Sequence, residues 1–257
     1  MSNNRYFIEF SYDGSLYHGF QKQLNAITVQ EIMENGISTI LRDRIDIVSA
    51  GRTDTGVHAV NMFAHFDYDI KSKIEESNFC HLLNRLLPAD IVVIAIHKVK
   101  SDSHSRFDAI SRTYNYYITD TKNPFNHKYR YYLSEELDYI MMNKASKILY
   151  EHQDFKCFSK SNTDVKTYNC KITNAEWVKS EDDWKFIITS NRFLRNMVRA
   201  IVGTLIEIGR GKLEIDDLDK IIQSKDRRNA GYSVPAEGLF LKEIIYDKKI
   251  FIESWKK

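Results

Sequence analysis

With 257 residues, 43% hydrophobic and 28% charged, the chain holds enough apolar material for one large domain or two intimate smaller ones. Only 3 Pro and 10 Gly occur and there is no low-complexity run, which excludes a disordered chain. The opening MSNNRYFIEF has no apolar signal core and no apolar run nears the ~20 residues that span a bilayer, so a soluble, cytoplasmic protein without membrane association is expected.

Residues 5–12, RYFIEFSY, are β-prone. After a Gly-containing loop, TVQEIMENGISTIL opens on a capping-box signature, Thr28 with Glu31 three residues on. Val29, Ile32, Met33, Ile37, Ile40 and Leu41 then repeat at helical spacing. IDIVSA (45–50) and VNMFAHFDY (60–68) read as strands, the second with Met62, Ala64 and Phe66 on one face. NFCHLLNRLL (78–87) predicts a helix, and IVVIAIHKV (91–99) a short buried strand. The first part of the chain therefore reads β-α-β-β-α-β.

The second part repeats that pattern without sequence identity. RTYNYYIT (112–119) is a strand, and SEELDYIMMNKASKILYEH (134–152) a helix capped by Ser134. CKITNAEWV and DWKFIITS form a hairpin around an EDD turn. RFLRNMVRAIVGTLIEIG (192–209) and DDLDKIIQS are further helices, and EGLFLKEIIY (237–246) is a closing strand. The expected fold is α+β: two ferredoxin-like βαββαβ halves joined through a largely antiparallel sheet, with helices packed on one face. The polar KSDSHSR stretch near 100–106 marks the join, giving halves 1–104 and 105–257. Sheets of this kind also serve as RNA platforms through exposed aromatics, and Tyr114, Tyr116 and Tyr117 crowd one strand. Most of the 15 Tyr read simply as packing, and fold analogy alone is weak warrant for function.

Cys80, Cys157 and Cys170 are far apart and odd in number, which fits free thiols in a reducing compartment. Neither they nor the 8 His show metal-ligand spacing, and no metal site is read. The net charge of +2 is too small to demand a polyanionic partner. Its distribution is more informative: Arg192, Arg195, Arg199 and Arg210 are followed by Lys225, Arg227 and Arg228, while acids collect in EEL, EDD and EIDDLD stretches.

The stretch SAGRTDTGVHA (49–59) lies on the connection between two predicted strands. Its plainest reading is a turn, since Asp, Thr and Gly are turn formers. Asp-Thr-Gly is also the local signature of aspartic proteases, but such an enzyme needs a second carboxylate to share a proton, and no second copy occurs. Arg52, two residues before Asp54, argues the same way, because a nearby cation favours the charged form of a carboxylate. A third reading makes Asp54 a lone nucleophile or base partnered by an arginine. On a helical wheel for 192–209, Leu194, Met197, Val198, Ile201, Val202 and Leu205 form an apolar stripe, with Arg192, Arg195 and Arg199 along one flank.

Five blocks then carry a resemblance: FSYDGSLYHGFQKQ with VQE after it, SAGRTDTGVHA, RFDAISRTYNYYI, FLRNMVRAIVG and PAEGLFL. In order and spacing they resemble the bacterial tRNA pseudouridine synthase A family, over about residues 5–246. The resemblance implies the pseudouridine synthase fold and isomerisation of uridine to pseudouridine at positions 38, 39 and 40 of the tRNA anticodon stem-loop. It also implies a homodimer, one tRNA spanning both subunits, and no cofactor or metal. Carried onto this chain, it implies that Asp54 is the catalytic nucleophile or base, and that Arg52 helps extrude the target base. Tyr114 stacks on that base and Arg199 partners the carboxylate.

Three positions depart from the family pattern: Phe20 replaces a frequent Trp, Cys157 a common Ser, and Asn191-Arg192 a small residue or Gly. Two other readings stand beside the resemblance. One is a non-catalytic RNA-binding module on the same sheets, and the other an enzyme of the same chemistry with a different RNA target.

Overall fold

The computed structural model describes residues 4–68, 76–160, 165–180 and 183–256. In chain order the elements are β1 (Asn4–Tyr12), α1 (Val29–Leu41), β2 (Val48–Ser49), β3 (His58–Tyr68), α2 (Glu76–Leu86) and β4 (Ile91–Val99). They continue with β5 (Ala109–Thr119), β6 (Tyr131–Tyr132), α3 (Tyr139–Ser146), β7 (Ile172–Lys179) and β8 (Asp183–Ser190). The last are α4 (Met197–Gly209), α5 (Ile215–Ser224), β9 (Leu239–Tyr246) and β10 (Phe251–Lys256). The chain divides into two compact units, Met1–Ile110 with Leu241–Lys257, and Ser111–Phe240.

The first unit has the strand order β10-β4-β1-β3, with β2 on β3. Without β10 this is the ferredoxin-like order, and its pairs are antiparallel. Central β1 is buried on both faces. On one face Tyr6 stacks on Phe66, which meets Phe79 of α2. On the other, Phe7 meets Tyr246 and Phe251, so the C-terminal segment supplies apolar cover where α1 and α2 do not. This accounts for Phe63 and His65 of β3 being as buried as Met62, Ala64 and Phe66. Thr28 does cap α1, its hydroxyl accepting from the Glu31 amide.

The polar 100–106 stretch is not an open linker. Ser103 and Ser105 are buried, the Ser103 carbonyl accepts from Arg5, and Ser105 Oγ lies 2.8 Å from His65 Nδ1. Polar residues pack here because each finds a hydrogen-bond partner.

In the second unit β5 and β7 flank β8, both antiparallel to it, and β6 runs parallel to β5. Here too α-helices and a largely antiparallel sheet are packed together, and the fold class is α+β. Helix α4 is buried nearly all round, as a core helix with apolar residues on every face should be.

Several local expectations change. The helix predicted from 134 begins at Tyr139, capped by Asp138, whose carboxylate accepts from the Met141 amide. Burial of Leu133 and Leu137 holds the preceding segment in another conformation. The helix predicted from 192 begins at Met197, because Asn196 takes a left-handed φ of 68°. Arg192 and Arg195 therefore precede α4 and do not flank it. The strand predicted over 45–50 shrinks to Val48–Ser49. Part of the predicted EDD turn, Glu181 and Asp182, lies outside the described residues.

Candidate active site

Asp54 sits in the first unit, on the connection from β2 to β3, half-buried between buried Thr53 and exposed Thr55. The loop is pinned by the segment that follows β1. The Thr53 carbonyl accepts from the Phe20 amide at 3.2 Å, and the Asp54 carbonyl from the Val57 amide at 3.2 Å. Thr53 Oγ1 is 2.8 Å from the Tyr12 hydroxyl, in a buried pair. Gly19, at φ 89°, lets this segment approach closely, since a Cβ there would stand 2.6 Å from the Thr53 carbonyl oxygen. Phe20, in place of the frequent Trp, is buried beside Phe10 and Tyr12 and keeps an aromatic anchor under the loop. Tyr17 donates from its hydroxyl to Asp90 at 2.6 Å, and burial first, then that carboxylate, pushes its phenol pKa up.

Arg52, on the same loop, is exposed. Within one short segment the backbone thus buries Thr53 as an anchor while leaving the flanking charged residues at or near the surface.

Tyr114 and Arg199 lie in the second unit. Tyr114 is in mid-β5, opposite Ile188 of β8, and its half-exposed ring meets Phe193 edge-on at 5.2 Å. Phe193 belongs to the stretch expected to be helical. Outside α4, it is part of the turn that lines the tyrosine ring.

Arg199 is in the first turn of α4 and is half-buried. Its Nε donates to the Val234 carbonyl at 2.6 Å, and its own carbonyl accepts from the Val234 amide. The 230–235 segment is in turn fastened to the rest of the unit. Asn196 donates to Ser233 Oγ at 2.6 Å, and the Arg227 guanidinium reaches the Gly231 carbonyl at 2.9 Å and Ser233 Oγ at 3.0 Å. From below, the buried Tyr116 hydroxyl donates to the Pro235 carbonyl at 2.8 Å. Gly203 of α4 admits the segment against the helix, since a Cβ there would meet the Tyr232 carbonyl oxygen at 1.9 Å. Sequence reasoning singled out Arg199 but not the supporting roles of Asn196, Gly203, Arg227 and Val234, which hold it. Asn196 and Gly203 stand in the FLRNMVRAIVG block and Arg227 in the basic run, yet neither pattern marks them as supports.

Tyr116→Phe should keep the fold but leave the Pro235 carbonyl without this bond, at a cost of about 1–3 kcal/mol. A thermal melt lowered by several degrees with unchanged circular dichroism is the expected outcome.

The other singled-out residues serve packing. All three cysteines are free and buried, and burial pushes Cys157 up to about 12 and Cys80 and Cys170 up to about 11. Thiols so protected are poor nucleophiles. Asn191 accepts from the Lys171 amide through Oδ1, and Arg192 donates to the Thr167 carbonyl. Among the described residues no group of three or more His, Cys, Asp or Glu could hold a metal ion, and no helix is long and apolar enough to cross a membrane.

A family profile described as tRNA pseudouridine synthase matches residues 9–108 and 145–247, stretches that include the Asp54 loop and the Arg199 helix. The chain belongs to the tRNA pseudouridine synthase family. The chain is similar to the tRNA pseudouridine synthase A of Bacteroides fragilis, 51% identical over 252 residues, 98% of this chain and all of the relative. That of Acetivibrio thermocellus is 40% identical over 249 residues, covering 96% of this chain and all of the relative. That of Staphylococcus aureus is 35% identical over 253 residues, 98% of this chain and 95% of the relative. The chain is an enzyme of this family, a tRNA-modifying isomerase.

Proposed function

We propose that the chain isomerises uridine to pseudouridine at positions 38, 39 and 40 of the tRNA anticodon stem-loop. In this reading it works in the cytoplasm as a homodimer, with one tRNA reaching both subunits and no metal or cofactor taking part. The observation that carries the proposal is the Asp54 loop, pinned on a buried threonine and presenting its carboxylate at half-burial, in a chain matched along nearly its whole length to proteins named tRNA pseudouridine synthase A.

The chemistry needs little more than positioning. The uridine leaves its stack, the C1′–N1 bond breaks, the base turns, and a C1′–C5 bond forms; C5 loses a proton and N1 gains one. No electrons are exchanged with an outside group. Asp54 serves as nucleophile, or as the base that takes a proton. Arg52, exposed on the same loop, enters the helix where the base was. Tyr114 stacks on the flipped pyrimidine, worth roughly 1–3 kcal/mol for one base. Arg199, anchored through Nε, partners the carboxylate; a planar guanidinium suits that role because its fork matches two carboxylate oxygens.

The test is to incubate purified protein with unmodified tRNAs carrying uridine at 38, 39 or 40, and to map pseudouridine by carbodiimide treatment and primer extension. New stops at those positions are the expected result, and stops elsewhere or nowhere would overturn it. tRNA affinity should also fall steeply with salt, since each phosphate neutralised contributes about −0.7 to −0.9 to the slope of log K against log salt. Filter binding at several salt concentrations checks this, and a flat response would count against a polyanionic substrate.

A further inference from the structure

The loop from β5 to β6 stands outside the site described above. Its sequence, DTKNPFNHKYRYY (120–132), interleaves aromatics with cations and carries no acidic residue from 121 to 134. Phe125 is at its apex and is 91% exposed. That exposure is not a product of slack chain. The Phe125 amide donates to Asn123 Oδ1 at 2.9 Å, the Asn126 amide to the Asn123 carbonyl, and the Tyr129 amide to the Asn126 carbonyl. His127 Nδ1 donates to the Pro124 carbonyl at 2.8 Å.

Both ends of the loop are anchored. The Arg130 guanidinium lies 4.2 Å over the Tyr117 ring and pairs with Asp183, and the Leu133 amide donates to the Thr119 carbonyl. The fold therefore builds a braced turn and places a large apolar ring at its tip, in water. Lys122, His127 and Lys128 around it are exposed, and Lys122 also reaches the half-exposed Tyr132 ring at 5.4 Å.

A rigid, solvent-facing aromatic among cations is the arrangement that holds unpaired nucleotides, with the ring stacking on a base and the cations facing phosphates. We propose that the Phe125 turn is a second RNA contact, where Phe125 stacks on an unpaired nucleotide of the substrate tRNA while Lys122 and Lys128 meet its backbone. The inference rests on the chain's acting on tRNA. Charge selects this occupant, because residues 121–134 carry no carboxylate and, beside Arg130 on Asp183, present exposed Lys122 and Lys128, which suits a polyanion. Tyr114 and Thr119 are five residues apart on β5, roughly 17 Å at the rise of a strand. The turn is therefore well removed from the ring proposed to stack on the target base, and bears on which tRNAs are held, not on the isomerisation itself.

The experiment measures affinity of the full-length protein for an unmodified tRNA transcript, alongside turnover at saturating tRNA. Phe125→Ala should weaken binding about tenfold, with saturated turnover unchanged and Phe125→Trp restoring affinity. Lys122→Glu with Lys128→Glu should also weaken binding and flatten the salt slope by one to two phosphates' worth. Since Phe125 is exposed, its variants should melt with the wild type. Affinity of Phe125→Ala within twofold of wild type would overturn the proposal, as would a change confined to self-association, which would make the turn a contact between copies. A wild-type protein that binds tRNA but forms no pseudouridine would defeat the proposed reaction and leave this binding comparison readable.

Discussion

Asp54→Asn is expected to remove turnover, by at least about 1,000-fold in kcat, while tRNA affinity stays within a few-fold of wild type. Asparagine keeps the size and shape of aspartate but cannot act as nucleophile or accept a proton as a carboxylate does. The loop itself should survive. The Thr53 and Asp54 carbonyls, the Thr53 hydroxyl with Tyr12, and the approach at Gly19 hold it through groups that the substitution leaves in place. Single-turnover release of tritium from tRNA labelled at uridine C5 reads the chemistry, and filter binding reads affinity. Turnover within tenfold of wild type would remove Asp54 from the catalytic role. Joint loss of turnover, affinity and melting temperature would make it a folding residue.

Gly203→Ala should be the most damaging small substitution in the second unit. Its Cβ would stand 1.9 Å from the Tyr232 carbonyl oxygen, and that obstruction is backbone, which a side-chain rotation cannot relieve. Either α4 or the 230–235 segment has to move. The expected cost is about 3 kcal/mol, or roughly 6–12 °C in the melting transition. Because Val234 of that segment holds Arg199 through Nε, the displacement also shifts the guanidinium, and kcat should fall in whatever protein remains folded. Gly51→Ala is the matched control: a Cβ there meets nothing within 4 Å, so stability should change by less than about 0.5 kcal/mol. Equal melting temperatures for the two variants would refute the packing argument.

Elements with strong periodicity were readable without the structure. Strands 5–12, 91–99 and 183–190 and the helix at 29–41 fall within a residue or so of their expected ends, because each is specified by its own apolar spacing. The errors sit where tertiary contacts override local preference. The 192–209 pattern looks helical throughout, yet Leu194 is buried outside the helix and Asn196 turns the chain through a left-handed conformation. Strand β10 was not anticipated, since FIESWK has little alternation of its own and pairs because β4 presents an edge. The C-terminal strand and tail belong with the first unit for a related reason: Tyr246 and Phe251 find their apolar partners on Phe7.

By itself the sequence determined the α+β class, the family, and the position of the Asp54 loop between two strands, since these reside in local patterns and in short ordered motifs. Only the tertiary structure decided what holds the loop and the arginine. The Asp54 loop rests on Tyr12 and Phe20, and Arg199 on Val234, through a segment seated against Gly203. Such supports lie some thirty to forty residues away along the chain, and apart from the Tyr12 hydroxyl they act through peptide groups, the Phe20 amide and the Val234 carbonyl, that side-chain identity does not mark. A sequence motif records which side chain is presented. It cannot record which distant peptide group bears its weight.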